Sequence, residues 1–155
     1  MIVAGIDVST RAIDIVALNL DTGQARHQRY ELGDGDLIDR VRTIGVVFPT
    51  ARSSLWDDVI AIGIERPAGR YGVAQVAMAF GAVVSRIPVD RVLRAWMPAE
   101  WRKACGLPGN AGKDQVAHWA IGNVKGMDRV LPQDAYDAAA IAYATRQAIR
   151  IEDAA

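Results

Sequence analysis

Residues 2–31 read IVAGIDVSTRAIDIVALNLDTGQARHQRYE. Runs 2–8 and 12–20 are apolar and rich in β-branched residues, and a short polar turn at 9–11 separates them. Asp21-Thr22-Gly23 then turns the chain into a third extended run near 24–31. The pattern predicts a three-strand antiparallel meander at the start of the fold.

Downstream of the meander, helical and strand patterns alternate. Apolar residues recur at helical spacing from Leu37 and stop before Pro49, whereas 59–65, VIAIGIE, is a continuous apolar run typical of a strand buried on both faces. Further elements are predicted over 73–86 (helix), 89–95 (strand), from Pro98 (helical turn), 113–123 (helix) and 134 to about 150 (helix). This order predicts an α/β fold in which the meander and parallel strands form one mixed β-sheet flanked by helices.

Composition narrows the class of protein. The 155 residues are expected to form a single domain, 1–155, with a frayed tail at 152–155. The sequence has neither an apolar run near the roughly 18 residues of a membrane span nor a signal-peptide pattern, so a cytoplasmic protein with no membrane partner is expected. A single cysteine, Cys105, and two histidines argue against an internal disulfide or a Cys- or His-rich metal centre. Basic and acidic residues balance over the chain, but 86–129 holds eight basic and four acidic residues, which is compatible with a nucleic-acid-binding face.

Four carboxylates carry the strongest functional signal. Asp7 and Glu65 each lie at the end of an apolar strand, and Asp134 and Asp137 stand three residues apart at the head of an alanine-rich helix. A parallel core would bring all four together, and crowded acidic groups repel one another unless divalent cations lie between them. The four acids therefore predict a metal-dependent nuclease.

Each acid also has a purely structural interpretation. Asp7 is compatible with a turn after a strand, and Glu65 with a salt bridge to Arg66 or Arg70. Asp134 is compatible with a helix N-cap, which would put the second acid of the pair at the third helical position. The two interpretations predict different behaviour on mutation.

Lys113 is a candidate catalytic residue. It follows the glycine-rich loop 106–112 and starts a helix, where it is placed to contact a phosphate. The loop does not match the phosphate loop of nucleotide hydrolases, because Leu107 and Asp114 stand where that motif requires Gly and Ser or Thr.

Other basic and aromatic residues are candidates for contact with DNA. Tyr71 lies in a glycine-flanked loop beyond Glu65, where its ring is a candidate wedge against a distorted duplex, and the candidate DNA-binding cations are Arg70, Arg102 and Lys103. Three tryptophans near the basic stretch belong either to the core or to a surface that stacks on unpaired bases. They are Trp96, Trp101 and Trp119.

The chain resembles the RuvC family of Holliday-junction resolvases in the RNase H-like superfamily. The matching motifs are GID at 5–7, IE at 64–65, KDQVAH at 113–118 and DAYDAAAIA at 134–142, of which the last two are the specific ones. The chain departs from the family pattern at Val8-Ser9, where Pro-Gly is typical. The resemblance implies an RNase H-like fold, four acids that hold two Mg²⁺ ions with Mn²⁺ as a substitute, a lysine at the scissile phosphate, and a homodimer acting on four-way DNA junctions. Fifteen arginines against three lysines indicate a GC-rich genome, such as that of a bacterium or its phage.

Phosphodiester hydrolysis needs an activated water and a neutralised leaving oxygen, and two metal ions about 3.5–4 Å apart supply both. Asp7 is the expected shared ligand, because the central strand of such a fold ends in the middle of the site. The apolar helix 73–86 is a candidate part of the dimer interface, with ordinary core packing as the alternative. Three other functions stay open from the sequence: an RNase H-like nuclease acting on RNA, a non-catalytic nucleic-acid-binding protein, and an ATPase of the actin and sugar-kinase type.

Overall fold

The computed structural model describes residues 1–69, 72–127 and 130–152, with side chains up to residue 149. The strands are β1 (Ile2–Val8), β2 (Ala12–Asn19), β3 (Ala25–Glu31), β4 (Val59–Glu65) and β5 (Val92–Trp96). The helices are α1 (Leu37–Val47), α2 (Val73–Val84), α3 (Pro98–Ala104), α4 (Lys113–Asn123) and α5 (Gln133–Glu152), with a 3₁₀ turn at Ser54–Trp56. Strand β5 begins three residues later than predicted, because Arg91 closes a turn onto the carbonyl of Pro88. Of the predicted frayed tail, 152–155, only the backbone of Glu152 lies within the described residues.

The strands form one sheet in the order β3-β2-β1-β4-β5. Strands β1, β2 and β3 pair antiparallel, as expected for a meander, whereas β4 pairs parallel with β1, and β5 pairs parallel with β4. The predicted mixed sheet is therefore confirmed. Because β1 and β4 are parallel neighbours, their carboxyl ends, which carry Asp7 and Glu65, lie side by side at one edge of the sheet.

Helices cover both faces of the sheet. Helix α5 lies across β1, β2 and β4, and α3 and α4 pack against α5 on the same face. Helices α1 and α2 pack against each other on the other face, where α2 contributes Ala79 and Val83 to the core. Among the described residues, no helix combines the length and the apolar character that crossing a membrane requires.

Two glycines let α5 approach the sheet closely. Gly5 and Gly63 are partners in the register of β1 and β4. A methyl group on Gly5 would overlap the backbone of α5 at Ala138, and one on Gly63 would overlap the hydroxyl of Thr145. The alanines of α5 that face this contact are fully buried, so backbone and small side chains fill the space. This close packing fixes the first turn of α5 above the ends of β1 and β4.

Candidate metal and nucleic-acid site

A row of charged side chains crosses the sheet on the face covered by α5. Asp7 is the register partner of Asp14 on β2, and Asp14 is the partner of Arg29 on β3. Glu65 follows Asp7 on the other side, one step beyond the Ile6–Ile64 pair. Three carboxylates thus lie on adjacent strands, an arrangement that costs stability unless positive charge is close.

Helix α5 brings two more carboxylates to this row. The pKa of Asp7 is raised well above its ordinary value, first by burial and then by the negative charges of Glu65, Asp137, Asp134 and Asp14. Burial, followed by the charge of Glu65, also raises the pKa of Asp137 to about 6. The structure therefore brings together all four acids singled out in the sequence: the other three disfavour the ionised form of Asp7, and Glu65 and Asp134 disfavour that of Asp137.

Glu65 is held by a tryptophan. Trp101 on α3 is fully buried, and its indole Nε1 donates a 2.6 Å hydrogen bond to Glu65 Oε2. Burial raises the pKa of Glu65, while this hydrogen bond and the positive charge of Arg102 oppose the rise. The indole therefore fixes one carboxylate oxygen and favours its charged form. The sequence left open a structural salt bridge from Glu65 to Arg66 or Arg70, but among the described residues the hydrogen-bond partner of Glu65 is Trp101.

Asp134 lies between two cations. Its Oδ1 is 3.9 Å from Lys113 Nζ, and its Oδ2 is 3.8 Å from Arg29 Nη1. The start of α4 is tied to the start of α5, because Gln133 Nε2 donates a 3.0 Å hydrogen bond to the carbonyl oxygen of Lys113. Helix α5 begins at Gln133, so Asp134 sits inside the first turn, and its interpretation as the N-cap is wrong.

Arg102 also belongs to this neighbourhood. Its guanidinium stacks over the ring of Trp101 at 4.7 Å from the ring centroid, and its charge lowers the pKa of both Glu65 and Asp137. The next candidate cation, Lys103, is exposed in the last turn of α3. Arg70 and Tyr71 lie outside the described residues.

The tryptophans are not a free stacking surface. Trp96 and Trp101 are buried in the core, where the indole of Trp96 donates a 2.9 Å hydrogen bond to Thr145 Oγ1. Trp119 is partly buried and contacts the ring of Tyr143 edge-on. For Trp96 and Trp101, the core interpretation is confirmed, and each indole N–H is used within the protein.

Sequence reasoning missed Asp14, Arg29 and the positioning contact of Trp101. Asp14 lies in an apolar strand and was not singled out. The signal that could have found it is its spacing, because a hairpin with its turn at 9–11 pairs Asp7 with the residue seven positions later. Only the strand register shows that Asp14 and Arg29 continue the row of charges.

The donors fit a hard divalent cation. Asp137 Oδ1 is buried and has no hydrogen-bond partner, which is a costly state for a carboxylate oxygen that lacks a cation. The set consists of carboxylate oxygens, which suit Mg²⁺ or Mn²⁺. Among the described residues, however, no three or more His, Cys, Asp or Glu side chains are close enough together to hold a metal ion as they stand. The acids thus lie within electrostatic reach of one another in an open arrangement.

Solved structures share this fold along almost the whole chain. The protein is similar to RuvC of Thermus thermophilus, with a TM-score of 0.74 and 21% identity, over 98% of this chain and 97% of that one. It is also similar to T. thermophilus RuvC in complex with Holliday junction substrate, with a TM-score of 0.70 and 22% identity, over 97% and 96% of the two chains. No protein-family model and no curated protein matches the sequence. The likeness establishes the RNase H-like fold.

Proposed function

We propose that this protein is a metal-dependent endonuclease that resolves four-way DNA junctions. The observation that carries the proposal is the gathering of four carboxylates, from β1, β4 and α5, at one edge of the sheet. The fold in which they gather is shared with RuvC, and one of the similar structures is RuvC in complex with Holliday junction substrate. The fold and the acid cluster together favour phosphodiester hydrolysis over DNA binding alone.

Asp7, Glu65, Asp134 and Asp137 would hold the metal, two Mg²⁺ ions with Mn²⁺ as a substitute. Bound there, the ions would supply a nucleophilic hydroxide and neutralise the leaving oxygen. Asp7 is the expected shared ligand, because β1 is the central strand of the sheet. The acids repel one another when ionised, and cations bound between them would offset that repulsion.

The surrounding residues have separate tasks in this proposal. Trp101 keeps Glu65 oriented and charged through its hydrogen bond. Lys113 is 71% exposed by side chain and begins α4, so its ammonium is free to reach a phosphate oxygen of the scissile strand. Arg102 and Lys103, on the neighbouring α3, would contact the DNA backbone.

A homodimer would supply the second active site that a junction with two cuts requires. Helix α2 is the proposed part of the interface. It contains no charged residue, and Ala74, Ala77, Met78 and Gly81 are exposed on the face turned away from the core. An uncharged exposed helix is unusual on a monomer surface and fits an isologous contact.

The decisive experiment measures cleavage of a labelled four-way junction, a linear duplex and an RNA of the same sequence, each with Mg²⁺ and with EDTA. We expect the junction alone to be cut, and only with metal. Asp7→Asn should abolish cleavage, and Asp58→Asn, which alters an exposed acid remote from the site, should retain it. Cleavage of RNA alone would replace the proposal with an RNA nuclease, and metal-independent binding without cleavage would replace it with a binding protein.

The assembly is tested separately by light scattering at micromolar concentration and by nicking of a cruciform plasmid. We expect a dimer that makes paired cuts in one binding event. Met78→Glu, which puts a charge on the exposed face of α2, should yield monomers that make unpaired nicks. A wild-type protein that is monomeric and still makes paired cuts would contradict the dimer.

A further inference from the structure

Asp14 is fully buried and is neutralised from the β3 side. Arg29 Nη1 donates a 2.6 Å hydrogen bond to Asp14 Oδ2, and His27 Nε2 lies 2.6 Å from Asp14 Oδ1. Both oxygens of Asp14 are therefore engaged, as a buried carboxylate requires. The proposed hydrolysis does not use this cluster, yet it adjoins the four acids in the same row of the sheet.

Arg29 connects this buried cluster to the proposed metal site. Its Nε donates a 2.6 Å hydrogen bond to Glu31 Oε1, so the guanidinium is clamped by two carboxylates, those of Asp14 and Glu31. The same Nη1 that binds Asp14 lies 3.8 Å from Asp134 Oδ2. A guanidinium cannot lose its proton in a protein, so this positive charge is permanent.

The two cations beside Asp134 differ in freedom. Arg29 is 25% exposed and held by two hydrogen-bonded carboxylates, whereas Lys113 is 71% exposed and meets Asp134 only at 3.9 Å. Arg29 is therefore the fixed cation and Lys113 the movable one. A metal ion that binds Asp134 would therefore be repelled by the positive charge of Arg29, which stays in place.

We infer that Arg29 is a positioning residue, a built-in counter-ion that holds the Asp134 carboxylate in the metal-free protein and sets how tightly a divalent cation binds. This inference rests on the proposed function. Buried Asp14 serves as the anchor that keeps the guanidinium in place. The arrangement lets the acid cluster fold before metal arrives, at the expense of metal affinity, because like charges a few ångströms apart repel. Lys113 remains available for the phosphate.

The test is the Mg²⁺ dependence of thermal stability, which does not depend on cleavage. Arg29→Gln removes the charge, and Arg29→Lys keeps a cation beside Asp14. Arg26→Gln is the matched control, because Arg26 lies on the same strand, points to the other face and is exposed. We expect Arg29→Gln to melt lower than wild type in EDTA and to reach half of its Mg²⁺-induced stabilisation at an about tenfold lower Mg²⁺ concentration. In both the melting temperature and the half-saturating Mg²⁺ concentration, Arg29→Lys should lie closer to wild type than Arg29→Gln does. Arg26→Gln should match wild type.

A half-saturation concentration that is the same for Arg29→Gln and Arg26→Gln would overturn the inference and leave Arg29 a structural partner of Asp14. If Arg29→Gln does not fold, nitrogen NMR of the wild-type arginine side chains decides, with Arg29→Lys used for assignment. In EDTA, we expect guanidinium signals of Arg29 that show restricted rotation, and we expect their chemical shifts to change when Mg²⁺ is added. Arg29 chemical shifts that stay the same on addition of Mg²⁺ would overturn the inference. Failure of the proposed function gives a different result. In that case Mg²⁺ would not stabilise wild type, or Asp7→Asn would not remove the stabilisation.

Discussion

Replacing Asp137 with asparagine removes one of four crowded negative charges with little change in side-chain size. Burial and the charge of Glu65 raise the pKa of Asp137 to about 6, against an ordinary value of 3.8. The folded and unfolded values are about two pH units apart, and each unit corresponds to about 1.4 kcal/mol. Ionised Asp137 therefore lowers the free energy of unfolding by about 3 kcal/mol in the metal-free protein above pH 6.

The sign of the pH dependence follows from proton binding. Between pH 3.8 and about 6, folded Asp137 keeps a proton that the unfolded chain has released, so its contribution to stability falls as the pH rises. Below this window both states are protonated and the penalty disappears; above it the penalty is constant. In EDTA, Asp137→Asn should therefore be more stable than wild type by up to about 3 kcal/mol at pH 8 and by little at pH 4, while cleavage is lost.

Urea denaturation in EDTA from pH 4 to pH 8 measures this difference, with the exposed-acid variant Asp58→Asn as control. Added Mg²⁺ should stabilise wild type and leave Asp137→Asn nearly unchanged. The reasoning is refuted if Asp137→Asn is less stable than wild type at pH 8 in EDTA, because Asp137 would then be a stabilising group of the fold and not a strained metal ligand.

Three further predictions concern single residues, the last with a matched control variant. Lys113→Ala should slow cleavage by about 100-fold while weakening junction binding far less, as expected for a contact that strengthens in the transition state; equal losses in rate and affinity would make it an ordinary binding lysine. Trp101→Phe removes the hydrogen bond that lowers the pKa of Glu65, so the acid limb of the rate profile should move to higher pH and the Mg²⁺ requirement should rise about tenfold; an unchanged profile would contradict the role of the indole. Gly5→Ala should cost about 3 kcal/mol or more in urea denaturation because its methyl group overlaps the backbone of α5, whereas Gly45→Ala, in an open position of α1, should be stabilising by up to about 1 kcal/mol.

The fold was predictable because its elements carry clear patterns. Strand β4 shows a continuous apolar run, and the three runs of the meander are separated by short polar turns. The proximity of the four acids, though not their role, was predictable because strand ends and the head of α5 are positions where carboxylates meet in a mixed sheet. These inferences need only local sequence and the direction of the strands.

The remaining parts of the site depend on register and packing. Asp14 has an apolar context in β2, and only its pairing with both Asp7 and Arg29 shows that it belongs to the row of charges. Trp101 reaches Glu65 from a helix 36 residues further along the chain, a contact that no local pattern specifies. Helix α5 starts at Gln133, one residue earlier than predicted, so Asp134 lies in the first turn and not at the cap. Tertiary arrangement decided each of these points.

The row of acids across the sheet also explains why a chain with no net charge creates a strongly acidic site. Asp14, Asp7 and Glu65 lie on three adjacent strands, yet their neutralisation differs. Asp14 receives a guanidinium and an imidazole from β3, whereas Glu65 receives a neutral indole N–H. Asp7 lies between them and is also close to the negative charges of α5. Burial and these charges both disfavour the ionised form of Asp7. Hydrogen-bonded positive charge from the chain thus reaches the row at its β3 end, while Arg102 and Lys113 act on the other acids without a hydrogen bond to them. At the centre of the row, burial and the neighbouring acids raise the pKa of Asp7, so the centre is where a cation from solution would gain most by binding.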